Sequence, residues 1–256
     1  MLPRAGRFFA LLLVAVLSAG LVVLANGPWL RIERVAWAGQ HYTSAHELEH
    51  ALDQLRGRQL LTLDLSAVRA EIERLPAVSE ARVEALLPDQ LQITLAEKQA
   101  TFMWQTSSAR MIGAADGTLI GQVPVPADLP NDLVRLPLVD DRRVASADLA
   151  VGDRIPPALL AVALRLAHMD PARLGSTTAR LALRLDDEHG FVLVASEAGW
   201  QAALGLYGVD LADDRSHPGD RIDAQMAAIR TLFSMHPESG VSWVDVRNPG
   251  RVYWRP

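Results

Sequence analysis

The residues that could most directly do chemistry are His46-Glu47-Leu48-Glu49-His50. On a helix, histidines four positions apart stand one turn from each other and can share a zinc ion, with Glu47 as the general base of a peptidase. Arg56 stands where the longer form of the motif would place its third ligand, and no histidine replaces it nearby. His46 and His50 also lie nearly opposite the leucine face of the same segment, as on a solvated surface. Asp210, Asp213, Asp214, His217 and Asp220 form a second cluster, dense in oxygen ligands for a hard cation. Their spacing fits no EF-hand loop, so the cluster reads as a solvated acidic turn. No G-x-S-x-G elbow and no glycine-rich phosphate loop occur, and the absence of cysteine excludes thiol nucleophiles and Cys-ligated zinc. Trp254 stands two residues from the end of the chain, in an apparently terminal strand. A terminal strand is a candidate sheet edge, and an edge can accept a partner strand.

The elements that must carry these residues begin with Arg31–Gly39, where Ile32, Val35 and Trp37 mark a strand that stops at a glycine. Ser44 and Glu47 have capping-box spacing and open a helix whose apolar face is Leu48, Ala51, Leu52 and Leu55. Asp64 or Ser66 can cap a second helix with Val68, Ile72 and Leu75 inward, ended by Pro76. Val78–Ala85 and the alternating Leu91, Ile93 and Leu95 supply two more strands around a Pro88-Asp89 turn. The order is β-α-α-β-β within about seventy residues. Beyond Thr101 the texture changes. An Asp116-Gly117 turn marks a hairpin over Met111–Gly121. Prolines at 124, 126, 130 and 137 mark an irregular connector. Helices are expected from Pro156-Pro157 through Ala167, with proline in the first turn, and over Arg221–Met235. Strands are expected over Thr178–Leu185 and Phe191–Ala195, and a hairpin from Val241–Val246 and Arg251–Trp254 closes the chain.

Phe8–Ala25 is a charge-free apolar run preceded by Arg4 and Arg7. At 1.5 Å per residue it roughly matches the ~30 Å hydrocarbon core of a bilayer. It reads as a spanning helix that leaves residues 1–7 in the cytoplasm and the remainder outside. Cleavage after Val23-Leu24-Ala25 as a signal peptide is the alternative, although the run is long for one. The formal net charge is −5, and no basic stripe is present to neutralise phosphates, which argues against nucleic acid as a partner.

Several stretches resemble the FtsQ/DivIB family of bacterial cell-division proteins. Val35-Ala36-Trp37-Ala38-Gly39 is similar to that family's opening strand and glycine. Leu60-Leu61-Thr62-Leu63-Asp64-Leu65 is similar to its LL-x-LDL link. Leu75-Pro76-Ala77-Val78-Ser79-Glu80-Ala81-Arg82-Val83 and Pro88–Glu97 resemble its next two strands. Trp243-Val244-Asp245-Val246-Arg247 resembles its late (Y/W)VDLR strand. The similarity is strong over 32–104 and 241–254 and weak over 122–220.

The resemblance implies an α+β chain: an N-terminal transmembrane helix (8–25), a β-α-α-β-β POTRA domain (30–98) and a mixed β-rich domain with two helices (99–256). It implies a non-enzymatic divisome scaffold in the inner (plasma) membrane at the septum, single-pass, with its C-terminal domain extracytoplasmic and the bilayer held through residues 8–25. No cofactor or metal is implied. The implied partners are FtsB/DivIC, FtsL and other divisome membrane proteins, held beside the terminal hairpin at Arg247, Gly250, Arg251, Val252, Tyr253 and Trp254. Val83, Leu91, Ile93 and Leu95 form a second implied surface. The alternative is a membrane-anchored zinc metallopeptidase built on His46, Glu47 and His50.

Overall fold

The computed structural model describes residues 4–25, 27–124, 129–130, 132–206 and 218–256, with the side chains of 9, 11–20 and 23 in the N-terminal helix. The chain divides into two compact units, Met1–Lys98 and Gln99–Pro256.

In the first unit a helix, α1, covers Arg4–Ala25. The expectation of a membrane span is corrected here. Among the described residues no helix is long and apolar enough to cross a membrane. The transmembrane helix over 8–25, the single-pass inner-membrane topology and the bilayer contact all rested on that span and fall with it.

The rest of this unit is β1 (Arg34–Ala38), α2 (Ala45–Leu52), α3 (Leu65–Ile72), β2 (Val78–Leu86) and β3 (Gln90–Glu97). The local causes are direct. The Ser44 side chain accepts from the Glu47 N–H, and the Glu47 carboxylate accepts from the Ser44 N–H, closing a capping box at the start of α2. Asp64 Oδ1 accepts from the N–H groups of Ser66 and Ala67 and caps α3. The strands lie in the order β1-β3-β2, with β1 parallel and β2 antiparallel to β3. Leu48, Leu52, Val68 and Ile72 from the helices pack on Leu91, Ile93 and Leu95 from the central strand. Gly39, at φ +92°, lets β1 end against the backbone of β3, because a Cβ there would fall 2.2 Å from the Leu95 carbonyl oxygen. Glu97 closes the same corner by accepting the N–H groups of His41, Tyr42 and Thr43.

The second unit holds β4 (Ala100–Gln105), β5 (Arg110–Ala114), β6 (Leu119–Val123), β7 (Leu138–Asp141), α4 (Pro157–Ala167), β8 (Ala182–Asp186), β9 (Gly190–Ala195), β10 (Trp200–Gly205), α5 (Pro218–Met235), β11 (Trp243–Asp245) and β12 (Tyr253–Arg255). One sheet contains all nine strands, ordered β12-β11-β10-β9-β8-β7-β4-β5-β6. β7 runs parallel to β8 and β10 parallel to β11, so α4 and α5 are crossover helices. Both crossovers step in the same direction between strands that point the same way. The right-handed rule therefore puts both helices on one face of the sheet. The core follows from that: Leu159, Ala163, Leu166, Ile222, Met226 and Ile229 meet Val139, Leu183, Leu185, Phe191, Leu193 and Val244 in one buried cluster. Asp141 lies wholly buried inside it. Its carboxylate accepts Trp104 Nε1 at 3.0 Å and pairs with Arg143 Nη2 at 2.7 Å, so the buried charge is matched.

Candidate interaction edge of the large sheet

The end of the chain forms this site. β11 leaves the sheet interior at Val246, and Asp245 and Arg247 hold each other: Arg247 Nη2 lies 2.6 Å from Asp245 Oδ2 and Nε lies 3.0 Å from Oδ1. The Arg247 guanidinium, donating these hydrogen bonds, holds the Asp245 carboxyl below its usual range, against the opposing effect of burial. Arg247 Nη1 also donates to the Glu188 carbonyl. On the other side of the turn, Arg221 and Gln225 of α5 reach the carbonyls of Arg247 and Val246. Helix α5 therefore fixes where the turn leaves the sheet. Arg251 N–H donates to Asn248 O to close the turn, with Gly250 at φ +72°.

β12 then pairs antiparallel with β11, matching Tyr253 to Asp245, Trp254 to Val244 and Arg255 to Trp243. It is the outermost strand on its side of the sheet. Val252 packs on the core, whereas Tyr253 is 49 % and Trp254 38 % exposed. The Trp254 ring stacks at 4.5 Å on the ring of His236, just beyond α5. Arg251 Nη1 reaches the Tyr253 hydroxyl at 3.4 Å. The six residues expected from the sequence around this hairpin, Arg247 and Gly250 to Trp254, thus sit on one turn and its strand. His236, which supports Trp254, had no signal in the sequence, because its spacing from Trp254 follows no helical or strand period. A groove of about 460 Å³ lies beside the turn, between it and Ala224 and Ala228 of α5.

A carboxylate pins the connection that delivers β11. Glu238 accepts the Trp200 Nε1–H, the Thr177 N–H and the hydroxyls of Ser176 and Thr177. Burial pushes its carboxyl upward, but these donors together outweigh burial and hold it below its usual range.

The second expected surface is corrected in part. Leu91 and Ile93 are wholly buried and Leu95 is 5 % exposed. They lie on β3, the middle strand of its sheet, so neither their side chains nor their backbones face outward. Val83 differs: it is half-buried on β2, an outer strand.

The zinc motif does not assemble. The Glu47 carboxylate accepts from the Ser44 N–H and hydroxyl, both at 2.9 Å, which commits the would-be general base to capping. Among the described residues no three His, Asp or Glu side chains converge to hold a metal ion. Of the acidic cluster, Asp210, Asp213, Asp214 and His217 lie outside the described residues, and Asp220 is exposed.

Residues 30–98 match the FtsQ-type POTRA domain family. The chain is similar to proteins named cell division protein FtsQ. The one from Bradyrhizobium diazoefficiens is 32 % identical over 108 residues, covering 42 % of this chain and 31 % of that protein. The one from Chloroflexus aggregans is 25 % identical over 206 residues, covering 80 % of this chain and 66 % of that protein. The one from Streptomyces coelicolor is 26 % identical over 197 residues, covering 73 % and 61 % respectively. The matches thus span between about a third and two thirds of the length of these relatives.

Proposed function

The chain belongs to the FtsQ/DivIB family, and on that premise we propose that it is a non-enzymatic scaffold of the cell-division machinery that holds FtsB (DivIC) and FtsL at the edge strand β12. The observation that carries this reading is the state of that edge: β12 ends the sheet with Tyr253 and Trp254 exposed on it. An edge strand presents a row of backbone donors and acceptors that an incoming strand can pair with, and exposed aromatics beside it supply contact area at little conformational cost. Arg247, Gly250, Arg251 and Val252 shape and aim that edge. Arg247 is held in place by Asp245 and by the Glu188 carbonyl, so it arrives at the site already oriented. The β2 edge around Val83 is a second, separate surface in this proposal.

The test is a pull-down of FtsB. Truncation after Asn248 should abolish capture, and Trp254→Ala in the full chain should weaken it about thirtyfold, while the thermal transition of the chain persists. Capture at the wild-type level by the truncated chain would rule out β12 as the docking strand.

A further inference from the structure

β2 spans Val78–Leu86, longer than any other strand among the described residues, and it lies at the outer edge of the smaller sheet. Long edges are normally blunted. This one is blunted at its ends and, between them, by Glu73 on the Ala81 N–H and by the charges of Arg82 and Glu84. Its register with β3 shifts between Val78 and Glu80, and the Pro88 turn closes the other end. Between them, the Ala81 N–H donates to Glu73 Oε1 at 3.1 Å, and Arg69 Nε holds the same oxygen at 2.7 Å. That bond shows which backbone groups face away from β3. In an antiparallel ladder alternate residues turn both N–H and C=O to the same side, so Val83 and Ala85 face outward with Ala81. Glu73 occupies the first of these donors.

The charges on the open stretch then discriminate between occupants. Arg82 and Glu84 stand on the solvent face, with side chains 77 % and 48 % exposed, and pair at 2.8 Å within the strand. Consider a second copy of β2 laid antiparallel beside the first about a two-fold axis. An axis through Arg82 sets Arg82 against its own copy and Glu80 against Glu84, and an axis through Glu84 sets Glu84 against itself. Like charges directly opposite are unfavourable. An axis through Ala81 requires the N–H already held by Glu73. An axis through Val83 sets each Arg82 opposite the Glu84 of the other copy. It joins the two Val83 backbones reciprocally and brings each Ala85 N–H to the Ala81 carbonyl of the other copy, leaving Glu73 in place.

We propose that the β2 edge is a self-association site, where two copies of this chain pair antiparallel about Val83 and join their smaller sheets into one. The inference rests on the reading of the Val83 strand as an interaction surface and names its occupant. The contact is a single strand pair, well below the ~1,200 Å² of a standard interface, so the dimer is weak and concentration-dependent.

Sedimentation equilibrium of the full chain up to about 1 mM should show a monomer–dimer equilibrium. Glu84→Arg should weaken it about tenfold, because two attractive cross-strand pairs become repulsive. Arg82→Glu combined with Glu84→Arg should restore it, since the swap is symmetric across the axis. The chain has no cysteine, so Val83→Cys supplies a single thiol. Hydrogen-bonded antiparallel partners stand about 5.5 Å apart between Cα atoms, within disulfide reach. Oxidation should link that variant and leave Arg74→Cys, exposed on the helical side, unlinked. A chain that stays monomeric, a dimer indifferent to Glu84→Arg, a charge swap that fails to rescue, or equal linking of the two cysteine variants would each overturn the proposal. Trp254→Ala should leave self-association unchanged, and Glu84→Arg should leave FtsB capture unchanged. Failure here is therefore distinguishable from failure of the β12 reading.

Discussion

The large sheet ends in two different ways. At one side, the start of β6 is covered by its own chain. Leu119 N–H donates to Asp153 O, Gly152 N–H to Leu119 O and Ile155 N–H to Gly117 O, so residues 152–155 lie beside the Gly117–Leu119 end of β6. At the other side, β12 carries exposed aromatics instead. Both edges belong to the same sheet and share one core. The contrast teaches that an open edge is not a by-product of this architecture. The same chain covers an edge where it spends a few loop residues, and at β12 it spends aromatic residues instead. An uncovered edge with apolar side chains invites aggregation unless something occupies it. That is the physical reason to look for function at β12 and not at β6.

The comparison presupposes a rigid sheet between the two edges, and the most damaging way to break it lies at the centre. Asp141→Ala would leave Arg143 and the Trp104 N–H without their buried acceptor. Loss of one partner of a buried pair costs about 3–5 kcal/mol. We expect a large fall in the urea midpoint and a loosening of both edges together, read by hydrogen exchange. An unchanged midpoint would mean that the pair does not organise the sheet.

Next in size is uncovering β6. Gly117 sits at φ +84°, and a Cβ there would lie 2.8 Å from the Ile155 carbonyl oxygen that belongs to the covering segment. Gly117→Ala should cost about 2 kcal/mol through the strained backbone and the displaced cover. It should also raise light scattering on storage, because β6 would then resemble β12 without a partner. Wild-type stability and solubility would show that the cover is dispensable.

Trp254→Ala touches the open edge alone. Trp254 is partly exposed, so the fold should lose no more than about 1 kcal/mol, while partner affinity should fall about thirtyfold if this is an interface anchor. A matched loss of stability and of binding would reduce Trp254 to a structural residue.

How far this was legible in the sequence varied with the kind of signal. Caps were readable, because Ser44 with Glu47 and Asp64 with Ser66 act on neighbours in the chain. The Asp116-Gly117 hairpin and the closing hairpin were readable for the same reason. The strands β4, β7 and β10 were not. Phe102, Met103 and Trp104 are all buried, so β4 shows no alternation. β7 ends in two aspartates, and β10 is built on alanine and glycine, which are depleted in strands. Each also has a parallel, non-local neighbour, β7 for β4, β8 for β7 and β11 for β10, which local sequence does not specify. The alternation of Leu91, Ile93 and Leu95 correctly gave a strand with one buried face. It could not say that the strand is central, which removes those residues from any surface. The apolar run at Phe8–Ala25 gave a helix, but among the described residues no helix is long and apolar enough to cross a membrane. The strand at Tyr253–Arg255 was legible in the closing hairpin, whereas the support His236 gives Trp254 was not.

The smallest expected effect separates the two edges by pH. The cover on β6 is made mainly of backbone hydrogen bonds, which do not titrate, with the carboxylates of Asp153 and Asp116 accepting the Ala150 and Thr118 N–H groups beside it. The β12 side depends on Glu238, whose carboxyl is held below its usual 4.5 by Ser176, Thr177 and Trp200 despite burial, and on Asp245, held below its usual 3.8 by Arg247. A carboxylate whose folded pKa is lowered adds stability that is complete above the unfolded value and is lost as pH falls through the folded one. Hydrogen exchange referenced to pH 7 should therefore accelerate at Trp243–Asp245 before Leu119–Val123 as the solution is acidified below about pH 4. Glu238→Gln should weaken the β12 side at neutral pH and flatten most of its acid dependence, because the amide keeps one acceptor and cannot titrate. If both edges loosen at the same pH in the wild-type chain, or if Glu238→Gln leaves the order of loosening unchanged, the open edge does not owe its acid response to the carboxylates that fasten it, and the contrast between the edges is one of exposure alone.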